Sequence, residues 1–180
     1  NSMNSGYVKR ICEDNGRIKL GQLQRNYGIA RALNIGIDLL KQDPVDWILT
    51  LDQDTLILCN IHDILDKINI IDAGIVWLAS SETNSKDLFF INKDPIIISG
   101  SIINFEVISY GVKFREEFFL DHVDTDLDYQ VRKLGFKVLR TSKRCIDHEW
   151  GKQMFIGSKK IRAATNLRVY FTIRNGTRLF

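Results

Sequence analysis

The sequence predicts an α/β domain whose sheet is mixed or largely parallel, and two observations indicate this fold class. Short runs of apolar, β-favouring residues alternate along the chain with stretches whose apolar residues recur at helical spacing. The apolar share of 44% and the charged share of 26% are those of an ordinary core-forming protein. A length of 180 residues suits one domain, so we expect one sheet flanked by helices.

The first quarter of the chain is predicted to hold a loop, two short elements and a long helix. Residues Asn1 to Gly6 are small and polar and indicate a loop. Tyr7 to Cys12 favour a short ordered element, and Ile18 to Leu20 favour a strand. The apolar residues between Gln24 and Leu40 have helical spacing, and Pro44 lies just beyond them.

Four strands and three helices are expected in the middle of the chain. The predicted strands are short apolar runs, at Ile48–Leu51, Gly74–Ala79, Ile96–Ser99 and Phe136–Leu139. The predicted helices have helical spacing, and two of them end at a glycine; they lie at His62–Ile70, at Phe105–Tyr110 before Gly111, and at Leu127–Leu134 before Gly135.

Composition also limits the class of protein. The formal net charge is only +3, which does not indicate a nucleic-acid partner. The cysteines Cys12, Cys59 and Cys145 are widely spaced, which favours reduced thiols in the cytoplasm over a disulfide framework. No apolar run is long enough to span a bilayer, and no signal-peptide pattern is present. We therefore expect a cytoplasmic protein.

The C-terminal stretch is basic, because residues Ser158 to Phe180 include Lys and Arg but no acid. Val169, Tyr170, Phe171 and Ile173 lie beside Arg168 and Arg174. A segment of this kind is able to rest on the anionic inner face of a membrane, where a lipid-linked acceptor is found. The alternative is a terminal helix that packs on the core and leaves a basic face in water.

Two carboxylates follow the strand at Ile48–Leu51. Asp52 and Asp54, with one residue between them, come directly after its C-terminal end. Ligands of open α/β sheets collect at the carboxyl ends of the strands. Two acids placed there are able to share a divalent cation whose other positions go to water and phosphate oxygens. The alternative is a solvated turn after a core strand.

A second acidic group lies at the start of the helix that ends before Gly135. It contains Asp121, Asp124, Asp126 and Asp128, with His122 among them. Acids are favoured at a helix N-terminus, and this explains Asp128 as a capping residue. The remaining acids exceed what a cap needs. A carboxylate held at such a position, near a bound hydroxyl, serves as a general base, and His122 is expected to line the same acidic pocket.

His148 is a candidate third ligand of the cation. It follows the strand at Phe136–Leu139, which is expected to deliver it to the same side of the sheet as Asp52 and Asp54. A neutral imidazole completes a carboxylate site most readily when the cation is manganese. The alternative is a structural or exposed histidine.

These motifs together resemble the family-2 inverting glycosyltransferases of the GT-A fold, in particular their rhamnosyltransferase-like branch. Four blocks carry the resemblance and occur in the family's order: Asn26 to Gly36, Trp47 to Thr55, Asp121 to Gly135, and Tyr170 to Asn175. They are similar to the family's N-x-G-x-(A/S)-x-A-x-N-x-G segment, its strand with Asp-x-Asp, its D-x-V-D-T motif and its Y-Y-x-x-R-N stretch. Four ordered blocks are more specific than any one alone.

The resemblance implies roles for individual residues. Asp52, Asp54 and His148 would hold Mn²⁺ or Mg²⁺, and Asp124 would be the catalytic base. Asp126 would be a neighbouring catalytic acid that shapes the acceptor site. The residues implied to lie along the nucleotide or the substrate are Asn26, Arg31, Asn34, Asp52, His122 and Trp150.

The reaction implied is the transfer of a sugar, with inversion, from a dTDP- or UDP-sugar to a glycan or lipid-linked acceptor in surface polysaccharide synthesis. An ionised carboxylate at neutral pH is already a competent base, so Asp124 needs no unusual pKa. The family's first strand–helix–strand unit, which holds the base and ribose, has no counterpart here except Asn1-Ser2. We therefore expect one partial catalytic domain over residues 1–180.

Other interpretations remain open. A strand followed by Asp-x-Asp also occurs in phosphatases of the haloacid dehalogenase type, although Leu56 stands where that pattern needs Thr or Val. A sugar-nucleotide pyrophosphorylase would need a Gly-rich basic loop after its first strand, and the sequence has none. A third alternative is a nucleotide- or glycan-binding fragment without catalytic activity.

Overall fold

The structure is a computed structural model that describes residues 5–69, 71–148, 153–156, 159–162 and 165–179. Its helices are α1 (Ser5–Asp14), α2 (Ile29–Leu40), α3 (Ile61–Ile68), α4 (Phe105–Ser109), α5 (Val123–Lys133) and α6 (Asn166–Gly176). Its strands are β1 (Trp47–Thr50), β2 (Leu56–Ile57), β3 (Ala73–Trp77), β4 (Phe89–Ile91), β5 (Ser101–Asn104), β6 (Lys137–Thr141), β7 (Ile146–Asp147), β8 (Gln153–Ile156) and β9 (Lys159–Arg162).

A five-stranded mixed sheet forms the centre of the molecule, in the order β1-β5-β3-β6-β4. β3 and β6 pair in parallel, whereas the other neighbouring strands pair antiparallel. The predicted α/β class with a mixed sheet is therefore confirmed. Because β5 runs antiparallel to both of its neighbours, β1, β3 and β6 all run in one direction. Their carboxyl ends consequently share one edge of the sheet.

The core has two parts, one on each face of the sheet. All five residues of β3 are buried, as expected for a central strand covered on both faces. Ile75 and Trp77 belong to the cluster that includes residues of α2, α4 and α5, whereas Val76 belongs to the cluster that includes residues of α3. This alternation follows from the two-residue period of a strand.

Gly74 sets how closely α5 approaches the sheet. A Cβ atom at this position would lie 2.5 Å from Cγ1 of Val131 and 2.8 Å from Cβ of Phe136. Both distances are too short for a real Cβ, so only glycine lets Val131 and Phe136 pack against the strand here. These contacts place the last turn of α5 over the beginning of β3. α5 spans about 16 Å and ends over the beginning of β3, so its first turn lies away from that end of the strand.

Two predicted strands are wrong. Ile18 and Leu20 lie outside any strand and are 41% and 43% exposed. Residues 96–99 are also outside any strand, although Ile96 and Ile98 are buried, and the chain instead enters the sheet at β5. An apolar run alone does not produce a strand. A strand also needs a neighbouring strand with which its backbone forms hydrogen bonds, and among the described residues neither segment has one. β4, which follows the polar loop, was not predicted.

No helix in the described part of the chain is both long enough and apolar enough to cross a membrane.

Candidate active site

Asp52, Asp54 and His148 meet at the edge of the sheet where β1 ends. One ligand atom from each of these residues lies within 4.8 Å of the other two. Nδ1 of His148 is 3.2 Å from Oδ1 of Asp54, and Nε2 is 3.9 Å from Oδ2 of Asp52. The two carboxylates are 40% and 47% exposed, whereas the imidazole is 13% exposed. The group is therefore open to a ligand on its acidic side.

The loop after β1 is held in place by the hydroxyl groups of Ser99 and Thr55, which the sequence motifs do not indicate. Oγ of Ser99 accepts a hydrogen bond from the backbone N–H of Asp52 at 3.0 Å. Oγ1 of Thr55 lies 2.6 Å from Oγ of Ser99 and 2.8 Å from Nδ1 of His148. Thr55 thus links the loop that carries both acids to the imidazole. Its adjacency to the Asp-x-Asp motif is the only sequence signal for this contact.

A two-stranded ribbon delivers His148 to the acids. β2 pairs antiparallel with β7, so that Leu56 lies opposite Asp147 and Ile57 lies opposite Ile146. The ladder continues through a 2.8 Å hydrogen bond from the Leu58 N–H to the Cys145 carbonyl oxygen. Because β2 begins two residues after Asp54 and β7 ends one residue before His148, this pairing fixes their separation.

The electrostatics of the group suit a hard divalent cation. Burial raises the pKa of Asp52, and the neighbouring charge of Asp54 raises it further, whereas His148 lowers it. A cation would offset this repulsion between the two carboxylates. Two carboxylate oxygens with an imidazole nitrogen form a donor set that accepts Mn²⁺ or Mg²⁺. The residues present therefore fit such an ion.

Asp124 is the second residue of α5. Its Oδ1 accepts a hydrogen bond from the N–H of Thr125 at 2.9 Å. Burial raises the pKa of Asp124 and outweighs the lowering by backbone hydrogen bonds and by His122. The proposed role does not need this shift, since an ordinary carboxylate is already a competent base at neutral pH. A carboxylate with a raised pKa is a stronger base than a free one.

Asp126 and Asp128 point into the protein instead. The side chain of Asp126 is 0% exposed, lies 2.7 Å from Nη2 of Arg115 and accepts a 2.7 Å hydrogen bond from Gln130. This geometry gives Asp126 a structural contact, and not the exposed position that an acid of the acceptor site needs. Asp128 accepts two 3.0 Å hydrogen bonds from Arg132, four residues further on, so it does not cap the helix.

His122 directly precedes α5, in the left-handed conformation with φ of 62°, and its side chain makes no capping hydrogen bond. It is half-buried. Its charge lowers the pKa of Asp124. That His122 lines an acidic pocket stays a prediction.

The residues predicted to lie along the nucleotide have different surroundings. Asn26 accepts a 2.9 Å hydrogen bond from the Gly28 N–H and borders a cleft of about 480 Å³. Arg31 forms an exposed 2.7 Å ion pair with Glu116. Asn34 donates to the Phe114 carbonyl at 2.8 Å and accepts from the Phe114 N–H at 3.1 Å.

Asn34 is therefore engaged at both ends of its amide, and it ties α2 to the segment before α5 instead of facing a ligand. Trp150, the other predicted substrate residue, lies outside the described residues.

Comparison with known proteins identifies the family. The model of "Glycosyl transferase family 2" matches residues 5–134. The crystal structure of S. aureus TarS 1-349 in complex with UDP superposes with a TM-score of 0.58 at 14% identity. That match covers 81% of this chain and 47% of TarS, and it shows the same GT-A type of fold. No curated protein sequence matches the chain. Because the family model covers more than half of its residues, the chain belongs to glycosyl transferase family 2.

Proposed function

We propose that this chain transfers a sugar from a nucleotide-diphosphosugar, UDP- or dTDP-linked, to a hydroxyl group of a glycan or lipid-linked acceptor. The observation that carries the proposal is that Asp52, Asp54 and His148 meet where β1 ends, in a chain of this family. We place the first turn of α5, which bears Asp124, at the same edge of the sheet. The chain spans less than half of the TarS structure, so the activity is proposed here for the protein and not taken from its relative.

Asp52, Asp54 and His148 would hold Mn²⁺ or Mg²⁺, with Asp54 as the more exposed carboxylate. When bound, the ion supplies positive charge for the diphosphate of the donor. Asn26 and the cleft beside it, which is also lined by Gln24 and Tyr27, offer a surface for the nucleotide. Membership of the rhamnosyltransferase-like branch, and a role in surface polysaccharide synthesis, belong to the same proposal and rest on the sequence blocks.

Asp124 would act as the base of a single displacement. Its carboxylate accepts the proton of the acceptor hydroxyl while that oxygen forms a bond to the anomeric carbon. The bond from the same carbon to the diphosphate oxygen breaks on the opposite side, and the configuration therefore inverts. The raised pKa of Asp124 supports this role, because it increases the affinity of the carboxylate for the transferred proton.

The decisive experiment for the cation site is calorimetry of UDP and dTDP with and without Mn²⁺. We expect the wild-type chain to bind nucleotide more tightly with the ion, and Asp54→Asn to lose this dependence because one of the oxygen ligands is gone. Asp87→Asn, which removes an exposed acid from the loop after β3, is the matched control. Equal cation dependence in wild type and Asp54→Asn would rule out the assignment.

A second candidate function is nucleotide or glycan binding without transfer, which would use the same cleft beside Asn26. Incubation with a panel of UDP- and dTDP-sugars separates the two. Binding without release of nucleoside diphosphate, in the presence of glycan acceptors, would favour the binding module. The phosphatase interpretation loses its basis, because the match of the family model includes the Asp-x-Asp loop.

We also propose a peripheral membrane contact through α6. Its exposed apolar residues Leu167, Tyr170 and Ile173 recur every three residues and are 57%, 57% and 64% exposed, so they form one stripe. Arg168 and Arg174 of the same helix are engaged with Asp121 and with the Glu117 carbonyl oxygen. The sequence of the C-terminal stretch adds the basic residues Lys159, Lys160 and Arg162, whose charges would attract anionic lipid.

A further inference from the structure

Two consecutive residues adopt a strained backbone directly before α5. Asp121 and His122 have φ of 60° and 62°, and within the described ranges they are the only residues other than glycine with positive φ. Aspartate and histidine tolerate this conformation better than most residues, but it still needs support from the surrounding structure. The turn lies two residues before Asp124. Its conformation therefore determines where α5 starts.

α6 supplies that support through the Asp121 side chain. Arg168 donates from Nε and Nη2 to the carboxylate of Asp121, at distances of 2.7 to 3.2 Å. Thr172, one helical turn further on, donates from Oγ1 to Oδ2 of Asp121 at 2.7 Å. A two-pronged guanidinium contact fixes orientation as well as distance. Two residues of α6, Arg168 and Thr172, thus hold the Asp121 side chain.

Asn175 holds the backbone of the same turn. Its Nδ2 donates to the carbonyl oxygens of Leu120 at 2.7 Å and of Asp121 at 2.9 Å, and the residue is fully buried. Its Oδ1 accepts from Nε of Arg174 at 3.1 Å, which fixes which end of the amide faces the turn. Arg174 also donates to the Glu117 carbonyl oxygen. The turn is therefore held on both its backbone and its side chain.

We propose that Arg168, Thr172 and Asn175 are positioning residues that hold the left-handed turn at 120–122 and thereby aim the carboxylate of Asp124. The proposal rests on the proposed role of Asp124 as the base. The N-cap residue of α5 makes no side-chain cap, so the start of this helix depends on contacts from outside it. A base displaced by about 1 Å loses much of its effect, on the order of a hundredfold.

The test uses variants of exposed residues so that folding is preserved. Arg168→Gln removes the two-pronged contact, and Thr172→Val removes one hydroxyl while keeping the shape of the side chain. Thr177→Val is the matched control, because among the described contacts the Thr177 side chain bonds only to the Arg174 carbonyl oxygen, and the residue lies beyond the turn's partners. Asn175→Ala removes both contacts with the backbone of the turn, and its Tm is measured first because Asn175 is buried.

The first measurement is hydrogen exchange of the peptide that covers residues 120–125, in the intact chain. We expect exchange there to become at least tenfold faster in Arg168→Gln and Thr172→Val, with an unchanged Tm and unchanged exchange in β3. Thr177→Val should match the wild type. Exchange that stays at the wild-type rate in both variants would overturn the positioning role. This measurement needs no enzymatic activity, so it stands even if sugar transfer is not found.

The second measurement separates positioning from a merely structural role. With a donor that the wild type turns over, we expect kcat to fall about tenfold to a hundredfold while the donor KM changes less than twofold. The pair Arg168→Gln and Asp121→Asn should not be additive, because Arg168 acts through Asp121. Additive losses, or a rise in KM with unchanged kcat, would contradict the proposal.

Discussion

Asp124 is the proposed base, and the burial of its carboxylate lowers the stability of the fold. Burial disfavours its ionised form, which is why its pKa lies above that of a free aspartate. In the folded chain the group therefore keeps its proton over a pH range where the unfolded chain has already lost it. As the pH rises through that range, stability falls, and at neutral pH the charge destabilises the fold.

We therefore predict that Asp124→Asn abolishes transfer, by a factor of about 10² to 10⁴, while the Tm at pH 7 stays equal or increases. The Asn side chain keeps an acceptor for the Thr125 N–H and carries no charge to bury. Near pH 3, where both forms are neutral, the two Tm values should converge. Single-turnover transfer checks the predicted loss of activity, and thermal unfolding at several pH values checks the predicted Tm.

Asp128→Asn is the matched control in the same helix. Asp128 is paired with Arg132, so its loss should lower the Tm. If Asp124→Asn instead destabilises at neutral pH as much as Asp128→Asn, its carboxylate has a structural partner and the base assignment fails. Unchanged transfer by a folded Asp124→Asn would have the same consequence.

The side-chain contacts explain why some site residues were predictable and others were not. Asp52, Asp54 and His148 share an edge because strand direction fixes where a strand ends, and this can be inferred from sequence. Asn34 and Asp126 stand in equally suggestive motifs, yet they bond to Phe114 and Arg115 inside the protein. A motif specifies where a residue lies along an element. The direction of its side chain depends on neighbours that are distant in sequence.

The elements themselves show the same division. α2, α3, α5, β1, β3 and β6 lie close to their predicted positions, because apolar spacing in long or buried segments reports their period directly. β2 and β7 contain two residues each, too few to show a period, although their pairing delivers His148. Short ribbons of this kind depend on hydrogen-bond partners that only the folded chain supplies.

Two glycines at the start and middle of α2 allow a matched prediction about this element. Gly28 has φ of +90°, and a Cβ there would lie 2.6 Å from the Phe119 carbonyl oxygen. Gly36 is inside the helix with open space around its Cβ position. We predict that Gly28→Ala destabilises by about 1–3 kcal/mol because backbone must move, whereas Gly36→Ala stabilises by about 0.5–1 kcal/mol through helix propensity.

Urea unfolding of both variants measures these free energies. Gly28→Ala should also speed exchange at the Ile29 N–H, which donates to the Phe119 carbonyl at 3.1 Å. Equal effects of the two substitutions would show that α2 does not rest on the segment before α5.

At the scale of the molecule, the two parts of the proposed site are held by different elements. The acids after β1 are fixed by the central sheet and the β2–β7 ribbon, whereas Asp124 is fixed by a turn that α6 holds. α6 thus has one side on this turn and another side, the stripe of Leu167, Tyr170 and Ile173, in water. A lipid surface on that stripe would leave the opposite side of α6 in contact with the turn.

We predict that the chain co-sediments with vesicles containing phosphatidylserine and much less with phosphatidylcholine alone, because both apolar and charge contacts are needed for interfacial binding. The double variant Leu167→Ser, Ile173→Ser should weaken binding by on the order of tenfold, since two exposed apolar side chains leave the interface. Ile91→Ser, at an equally exposed apolar residue on β4, should bind as the wild type does. Two results would contradict a membrane role for α6. One is vesicle binding that does not depend on phosphatidylserine, and the other is an equal loss of binding in the α6 double variant and in Ile91→Ser.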